Sequence, residues 1–196
     1  DINFADSRTG SCTQLIVAQS LGTQCTLYFF EKSDDAWALS EAIPTAPGIL
    51  GRNGVSRTKR EGDGCTPAGF YAIGPCYGEE ASSLTAMEYH QILEGDIWVD
   101  DPASLYYNQM VRSGDSQIYP DWRSGEDLYA LMRYYKYMAV IRYNMDPIVP
   151  DAGSAIFLHC DAGDATTSGC VATKEATMFA ILHWLSPEAD PHILIY

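Results

Sequence analysis

The chain has 196 residues, enough for one domain with a sizeable core, and 46% hydrophobic with 19% charged residues is a globular composition. It carries 12 basic and 26 acidic residues, a net charge of −14 at pH 7. That charge argues against nucleic acids and anionic membrane surfaces as partners.

The cysteines and the first residue indicate an extracytoplasmic protein with its signal peptide removed. No apolar run reaches the roughly 20 residues of a membrane helix, so we predict no transmembrane segment. The first residue is Asp1 rather than methionine, which a cleaved signal peptide would explain. Six cysteines fit an oxidising compartment. Cys65 with Cys76, or Cys12 with Cys25, are plausible bridges, although spacing alone does not decide connectivity.

The first part of the chain predicts an antiparallel β-meander over about residues 11–42. Residues 13–18, 25–31 and 36–40 are rich in apolar, aromatic and β-branched side chains and are separated by short polar breaks. A loop rich in proline and glycine follows. A further strand is then predicted over residues 69–74, because glycines stand at both of its ends.

The middle of the chain is less regular. Residues 83–93 predict either a short helix or an irregular excursion, because their periodicity is poor. The Asp-Asp-Pro sequence at 100–102 predicts a turn held by side-chain to backbone hydrogen bonds. Residues 124–127 are predicted to cap a helix with the apolar residues of 128–132 on one face, and 134–143 to form a long central strand.

The residues that carry chemistry stand near the end of the chain. Ala155–Leu158 is a short apolar run that predicts a buried strand with His159 at its end. After a polar loop comes Thr167-Ser168-Gly169-Cys170, and from residue 173 apolar residues repeat at helical spacing. A thiolate is activated by an imidazole within hydrogen-bond reach, and a helix N-terminus behind Cys170 would favour it further. Gly169 permits a tight bend that turns amides toward an oxyanion.

Two other interpretations of these residues stay open at this level. A histidine and a cysteine at such a distance occur together by chance in many chains, and both are often simply buried. A zinc site would use His159, Cys160, Asp161 and Cys170. That spacing matches no recurrent zinc pattern, and a fourth ligand is not obvious, so we predict no metal site.

Several segments, taken in order, resemble the L,D-transpeptidases, whose catalytic domain is called YkuD-type. His159 followed by Thr-x-Gly-Cys at 167–170 is similar to the active-site signature of that family. Residues 61–69 (EGDGCTPAG) resemble its glycine-rich Thr-Pro-x-Gly segment. Residues 99–108 and 153–159 are similar to one stand-alone branch, so the resemblance extends from about residue 51 to the C-terminus.

The resemblance implies a mostly-β fold with a few inserted helices, a mixed sandwich or barrel forming one catalytic domain over residues 1–196. Its implied substrates are peptidoglycan stem peptides, and the resemblance implies a reaction that needs no cofactor or metal. Cys170 would attack the third-residue carbonyl of a tetrapeptide stem and release D-alanine, and an acceptor amine would resolve the thioester into a 3–3 cross-link. Resolution by water would make an L,D-carboxypeptidase instead. A further alternative is a non-catalytic cell-wall-binding protein.

The resemblance also implies roles for individual residues. His159 would be the base, the carbonyl of Cys160 would orient its imidazole, and the amides of Gly169 and Cys170 would bind the oxyanion. Thr167 and Ser168 would line the site. The remaining substrate-binding residues are not predicted.

Three positions depart from the family pattern. Many relatives carry glycine at the position of Cys160, histidine at that of Ser168 and arginine at that of Ala172. The group that anchors a substrate carboxylate must therefore come from elsewhere, and the candidates are Lys174, Arg142 and the basic cluster at residues 57–60. The carboxylates nearest by motif to an acceptor amine are Asp161, Asp164 and Asp101.

Overall fold

The computed structural model describes residues 10–196, and within them the regular secondary structure is mostly strand. The helices are α1 (Met132–Tyr135) and α2 (Glu175–Trp184), with a single 3-10 turn at Pro187–Ala189. The strands are β1 (Gln14–Leu21), β2 (Gln24–Ser33), β3 (Ala36–Leu39), β4 (Ala46–Ile49), β5 (Val55–Ser56), β6 (Thr66–Pro67), β7 (Gly69–Gly78), β8 (Tyr89–Gln91), β9 (Asp96–Val99), β10 (Met110–Arg112), β11 (Gly125–Asp127), β12 (Tyr137–Ile141), β13 (Phe157–Cys160), β14 (Val171–Thr173) and β15 (His192–Ile195). Neither described helix has the length and apolar character needed to cross a membrane.

Eight of these strands close into a barrel-like sheet. Their order is β1-β15-β7-β12-β13-β14-β4-β2, and β2 pairs with β1 to complete the ring. Strands β3 and β8 extend the sheet beside β2 and β7. Closure pairs the strand edges that an open sheet would expose. The predicted mostly-β barrel with a few helices is confirmed.

Strands β12 and β13 are buried on both faces, which explains their continuous apolar sequence. Because side chains alternate along a strand, Leu158 and Cys160 pack in the same cluster as α2. Phe157 faces the opposite side, where it packs with Trp98 of β9 and with Cys170. This second face is covered by α1 and by the small sheet β10-β9-β11. The candidate site lies on it.

The predicted helix over residues 124–132 is wrong. Gly125–Asp127 is β11, which pairs antiparallel with β9 so that Glu126 lies opposite Trp98. The Asp127 carboxylate accepts a hydrogen bond from the Ala130 amide at 2.9 Å, so it caps a turn rather than a long helix. The strand predicted from residue 134 begins only at Tyr137, because α1 occupies the preceding residues.

The region of residues 83–93 adopts the irregular alternative, with β8 as its one regular element. The turn at Asp101 is confirmed. Its carboxylate accepts hydrogen bonds from the amides of Ala103 at 2.9 Å and Arg123 at 2.8 Å. Asp101 is thereby committed to its own loop.

Neither of the two plausible disulfides is formed, since all six cysteines are free thiols. Cys25 packs in the main core, whereas Cys12 belongs to a separate cluster with Leu15 and Val17. Cys76 is likewise buried in the main core, while Cys65 lies in a loop and is partly exposed. The members of each pair therefore lie in different parts of the structure, and spacing along the chain does not reveal this.

Candidate active site

The parallel pairing of β13 with β14 brings the two reactive residues to one end of the barrel. His159 lies opposite Ala172 in this register, and Cys170 directly precedes β14. The strand therefore separates Cys170 from α2, which begins at Glu175. The helix predicted behind the cysteine is confirmed as α2, but it does not adjoin Cys170, because residues 171–173 form β14 and pair with β13 and β4.

Cys170 is a buried, neutral thiol. Only 7% of its surface is exposed. Its Sγ donates to the Ala155 carbonyl at 3.2 Å and accepts from the Phe157 amide at 3.4 Å. Burial raises the pKa of the thiol well above its ordinary value, the negative charge of Glu126 raises it further, and Lys59 opposes the shift only in part. The thiol is therefore protonated at neutral pH.

His159 is a neutral imidazole of defined tautomer. Its Nδ1 lies 2.8 Å from the Cys160 carbonyl, which can only accept, so Nδ1 carries the proton and Nε2 is the basic nitrogen. The rings of Tyr134 and Tyr135 stand edge-on to the imidazole at centroid distances of 6.0 and 5.4 Å. Burial lowers the pKa of His159 to about 4, against the raising effect of the Cys160 carbonyl.

Both residues line one cavity of about 570 Å³. Within residues 10–196 no hydrogen bond joins the thiol to the imidazole, because Cys170 directs its proton to Ala155. In substrate-free structures, hydrogen bonds between catalytic groups are often long or absent, and they shorten when substrate binds. The arrangement can transfer a proton from sulfur to Nε2 once substrate brings the two groups together.

The loop before the cysteine holds its backbone by hydrogen bonds. Thr167 Oγ1 accepts from the Gly169 amide at 3.1 Å and donates to the Cys170 carbonyl at 2.7 Å. Thr66, from the Thr-Pro segment, donates to the same carbonyl at 3.3 Å. The Gly169 amide is therefore already engaged within its own loop.

Gly169 has φ +152°, a conformation that residues with a side chain rarely adopt. A Cβ built there would lie 2.9 Å from the Cys65 carbonyl oxygen and 3.3 Å from Lys59 Nζ. Lys59 is itself buried and forms an ion pair with Asp63 at 2.9 Å. The close packing behind Gly169 therefore requires a residue without a side chain.

The model of the L,D-transpeptidase catalytic domain, YkuD, matches residues 16–194. The chain belongs to the YkuD family. It matches none of the curated proteins and none of the solved structures with which it was compared. The family match covers nearly the whole barrel, including the site, and confirms the resemblance found in the sequence.

In this YkuD domain, Arg52 is the one lysine or arginine among the described residues that line the cavity. Its Nη1 lies 3.3 Å from Ser168 Oγ, within the Thr-Ser-Gly-Cys motif. Gly64 makes room for it, since a Cβ there would lie 2.9 Å from the Arg52 Cζ. Arg52 follows β4, whose Ile49 pairs with Ala172, the position where relatives carry arginine.

None of the cations proposed from the sequence lines the cavity. Lys174 forms an ion pair with Asp161 at 2.6 Å, and Arg142 pairs with Asp146. Arg57 lines a different cavity together with Tyr196. Sequence reasoning missed Arg52 because it stands in an irregular loop with no motif of its own.

Four carboxylates line the same cavity, namely those of Glu126, Asp127, Asp161 and Asp164. Asp164 accepts from the Tyr134 hydroxyl at 2.6 Å, and Glu126 accepts from the Tyr135 hydroxyl. The cavity is therefore strongly acidic around a single guanidinium. Sequence reasoning placed Glu126 in a helix cap and so missed it as a site residue.

The zinc arrangement weighed from the sequence is not formed. Cys160 Sγ faces the Tyr137 carbonyl at 3.7 Å, on the side of β13 away from His159. Among residues 10–196, no three histidine, cysteine or acidic side chains stand close enough together to hold a metal ion.

Proposed function

We propose that this YkuD domain is a peptidoglycan L,D-transpeptidase with Cys170 as nucleophile and His159 as base. The observation that carries the proposal is the pairing, across one cavity, of a thiol with an imidazole whose basic Nε2 is set by the Cys160 carbonyl. A neutral imidazole is the form that can accept the thiol proton.

In the acylation step, substrate displaces the thiol proton from the Ala155 carbonyl toward His159 Nε2. The sulfur attacks the third-residue carbonyl of a tetrapeptide stem, and the Cys170 amide stabilises the oxyanion. The imidazolium then gives its proton to the nitrogen of the terminal D-alanine as the C–N bond breaks. A thioester on Cys170 and a neutral His159 remain.

In the second step, an acceptor amine from a neighbouring stem attacks the thioester carbonyl. His159 takes the proton that the attacking nitrogen loses, and it returns that proton to the sulfur when the C–S bond breaks. The products are a 3–3 cross-link and the original thiol. Peptidoglycan as substrate implies that the protein works outside the cytoplasm, and that location is part of the proposal.

Arg52 supplies the carboxylate anchor in this proposal. Its guanidinium reaches Ser168 beside the nucleophile and has no carboxylate partner among the described residues. A carboxylate of the stem peptide fits the planar fork of an arginine. The Arg52 guanidinium, placed by β4, thus supplies the carboxylate-binding group that Ala172 cannot provide.

Arg52→Ala is expected to raise the KM for the stem peptide about 10- to 100-fold with a smaller effect on kcat, since a hydrogen-bonded charge contributes about 1.5–3 kcal/mol to binding. Arg57→Ala is the matched control and should leave both constants unchanged. A stem with its terminal carboxyl amidated should bind the wild type weakly and the Arg52 variant no more weakly. A further full loss in the variant would assign Arg52 another role.

The proposed function is tested by incubating the protein with purified tetrapeptide muropeptides and separating the products by mass. We expect D-alanine release together with dimers. Release with tripeptide monomers alone would make the protein an L,D-carboxypeptidase, because both reactions share the thioester. Muropeptide binding without release would make it a wall-binding protein.

A further inference from the structure

Glu126 is a carboxylic acid at the cavity wall that acylation does not use. Strand β11 holds it opposite Trp98, and its side chain accepts a hydrogen bond from the Tyr135 hydroxyl. The Tyr135 ring in turn stands edge-on to His159 at 5.4 Å. Glu126 and the imidazole thus lie on either side of one aromatic ring and face the same space as Cys170.

The protonation of Glu126 is set by its surroundings. Burial raises its pKa to about 7, the charges of Asp100 and Glu61 add to the shift, and the Tyr135 hydroxyl opposes it. Glu126 lines the same cavity as Cys170, and its charge adds to the effect of burial in raising the pKa of that thiol. Near neutral pH this carboxyl exists in both forms, and its ionised form can accept a proton.

The other acids of the cavity have partners that occupy them. Asp161 forms its ion pair with Lys174, and Asp164 accepts from Tyr134. Asp127 caps its own turn through the Ala130 amide. Within residues 10–196 Glu126 has no cationic partner, so its charge is left for a cation that enters the cavity.

We propose that Glu126 binds the ammonium group of the acceptor and removes one proton from it before attack on the thioester. This inference rests on the proposed transpeptidase function and deepens it, because it assigns the residue that favours an amine over water. The ligand class is a primary alkylammonium group on the neighbouring stem peptide.

The protons balance over the two basic groups. The acceptor enters as R–NH3+, and the Glu126 carboxylate takes one proton to leave R–NH2. The amine attacks the thioester, His159 takes the second proton and passes it to the departing sulfur, and the third stays on the amide nitrogen. Glu126 then releases its proton to solvent, so the net products are amide, thiol and one proton.

The raised pKa of Glu126 suits this carboxyl to accept a proton from an alkylammonium group. An alkylammonium resembles lysine, with a pKa of about 10.4, and an ordinary glutamate, at about 4.3, is a poor match for it. Burial raises the pKa of Glu126 to about 7 and so reduces the difference between the two pKa values. Proton transfer becomes easier as the pKa of the acceptor approaches the pKa of the donor.

The test uses Glu126→Gln, which keeps the shape of the side chain and a partner for Tyr135. Asp127→Asn is the matched control, since it removes one negative charge from the same cavity wall. Each protein is supplied with tetrapeptide stem and a lysine-type amine acceptor. First-turnover D-alanine release, cross-linked product and hydrolysed product are measured separately.

We expect Glu126→Gln to release D-alanine in the first turnover no more slowly than the wild type, because loss of its charge can only ease ionisation of the Cys170 thiol, while its ratio of cross-link to hydrolysis falls at least about 10-fold. Asp127→Asn should keep the wild-type ratio. An unchanged ratio in Glu126→Gln would overturn the inference, and so would an equal loss of both half-reactions. Failure of wild-type D-alanine release would instead overturn the proposed function, so the two failures are distinguishable.

A second measurement needs no variant. Hydroxylamine is a much weaker base than an alkylamine and is mostly uncharged above pH 7, so its reaction with the thioester should not need Glu126 there. In the wild type at saturating acceptor, the rate with the alkylammonium acceptor relative to hydroxylamine should level off above about pH 7, once Glu126 is ionised. A ratio that keeps rising about tenfold per pH unit above pH 7, as the fraction of free alkylamine does, would contradict the inference.

Discussion

Cys170→Ala is expected to abolish turnover, with a loss of at least about 10⁴-fold in kcat. Without the sulfur no thioester forms, and the remaining groups of the cavity only bind substrate. Intact mass spectrometry checks this directly, because the wild type should gain the mass of an acyl stem and the variant should not. The protein should stay folded, since only one buried sulfur atom is removed.

Cys65→Ser is the matched control for the loss of a thiol. Cys65 is partly exposed in its loop, whereas Cys170 is buried, so a general alkylating reagent should label Cys65 first. The serine variant should therefore lose that label and retain turnover. Full activity in Cys170→Ala, or an acyl group found on Cys65, would refute the assignment of the nucleophile.

His159→Ala is expected to lower kcat by about 10²- to 10⁴-fold, because no other base then accepts the thiol proton. His183→Ala is the control: that exposed histidine also bonds a backbone carbonyl, at 2.9 Å to Phe179, and lies on α2. It should keep wild-type turnover. Equal losses in the two variants would point to stability rather than to chemistry.

The pH profile gives His159 a second signature. Since its pKa is lowered to about 4, the imidazole is neutral and basic at every pH above that value. The thiol stays protonated because its pKa is raised. The kcat/KM for D-alanine release should therefore fall only as pH drops toward 4, and it should be level between about 5 and 8. An acid limb near pH 6.5 would mean that the imidazole is solvated.

The parts of the fold that follow from local pattern were predictable. Runs of β-branched and aromatic residues located the three strands of the first meander, and the apolar run before His159 located β13. The site pair could be proposed because both members stand in motifs. A strand with both faces buried leaves an uninterrupted apolar run, and this signal survives without knowledge of the partners.

What the sequence did not disclose depends on tertiary pairing. Residues 124–132 carry good helix-capping chemistry, but pairing with β9 gives Glu126 a strand conformation and aims it at the cavity. Arg52 becomes a site residue only because β4 lies beside β14 in the ring. The cysteines considered as disulfide partners lie in different parts of the structure, which their spacing in the sequence does not reveal.

The position of the last strand, β15, has a consequence for how the domain folds. β15 lies between β1 and β7, so the first and one of the last segments of the domain must meet before the ring is continuous. A growing polypeptide that has not yet produced residues 192–195 keeps two strand edges bare. Such long-range closure is slow. We therefore expect the fold around Cys170 to be complete only after residues 192–195 have joined the ring.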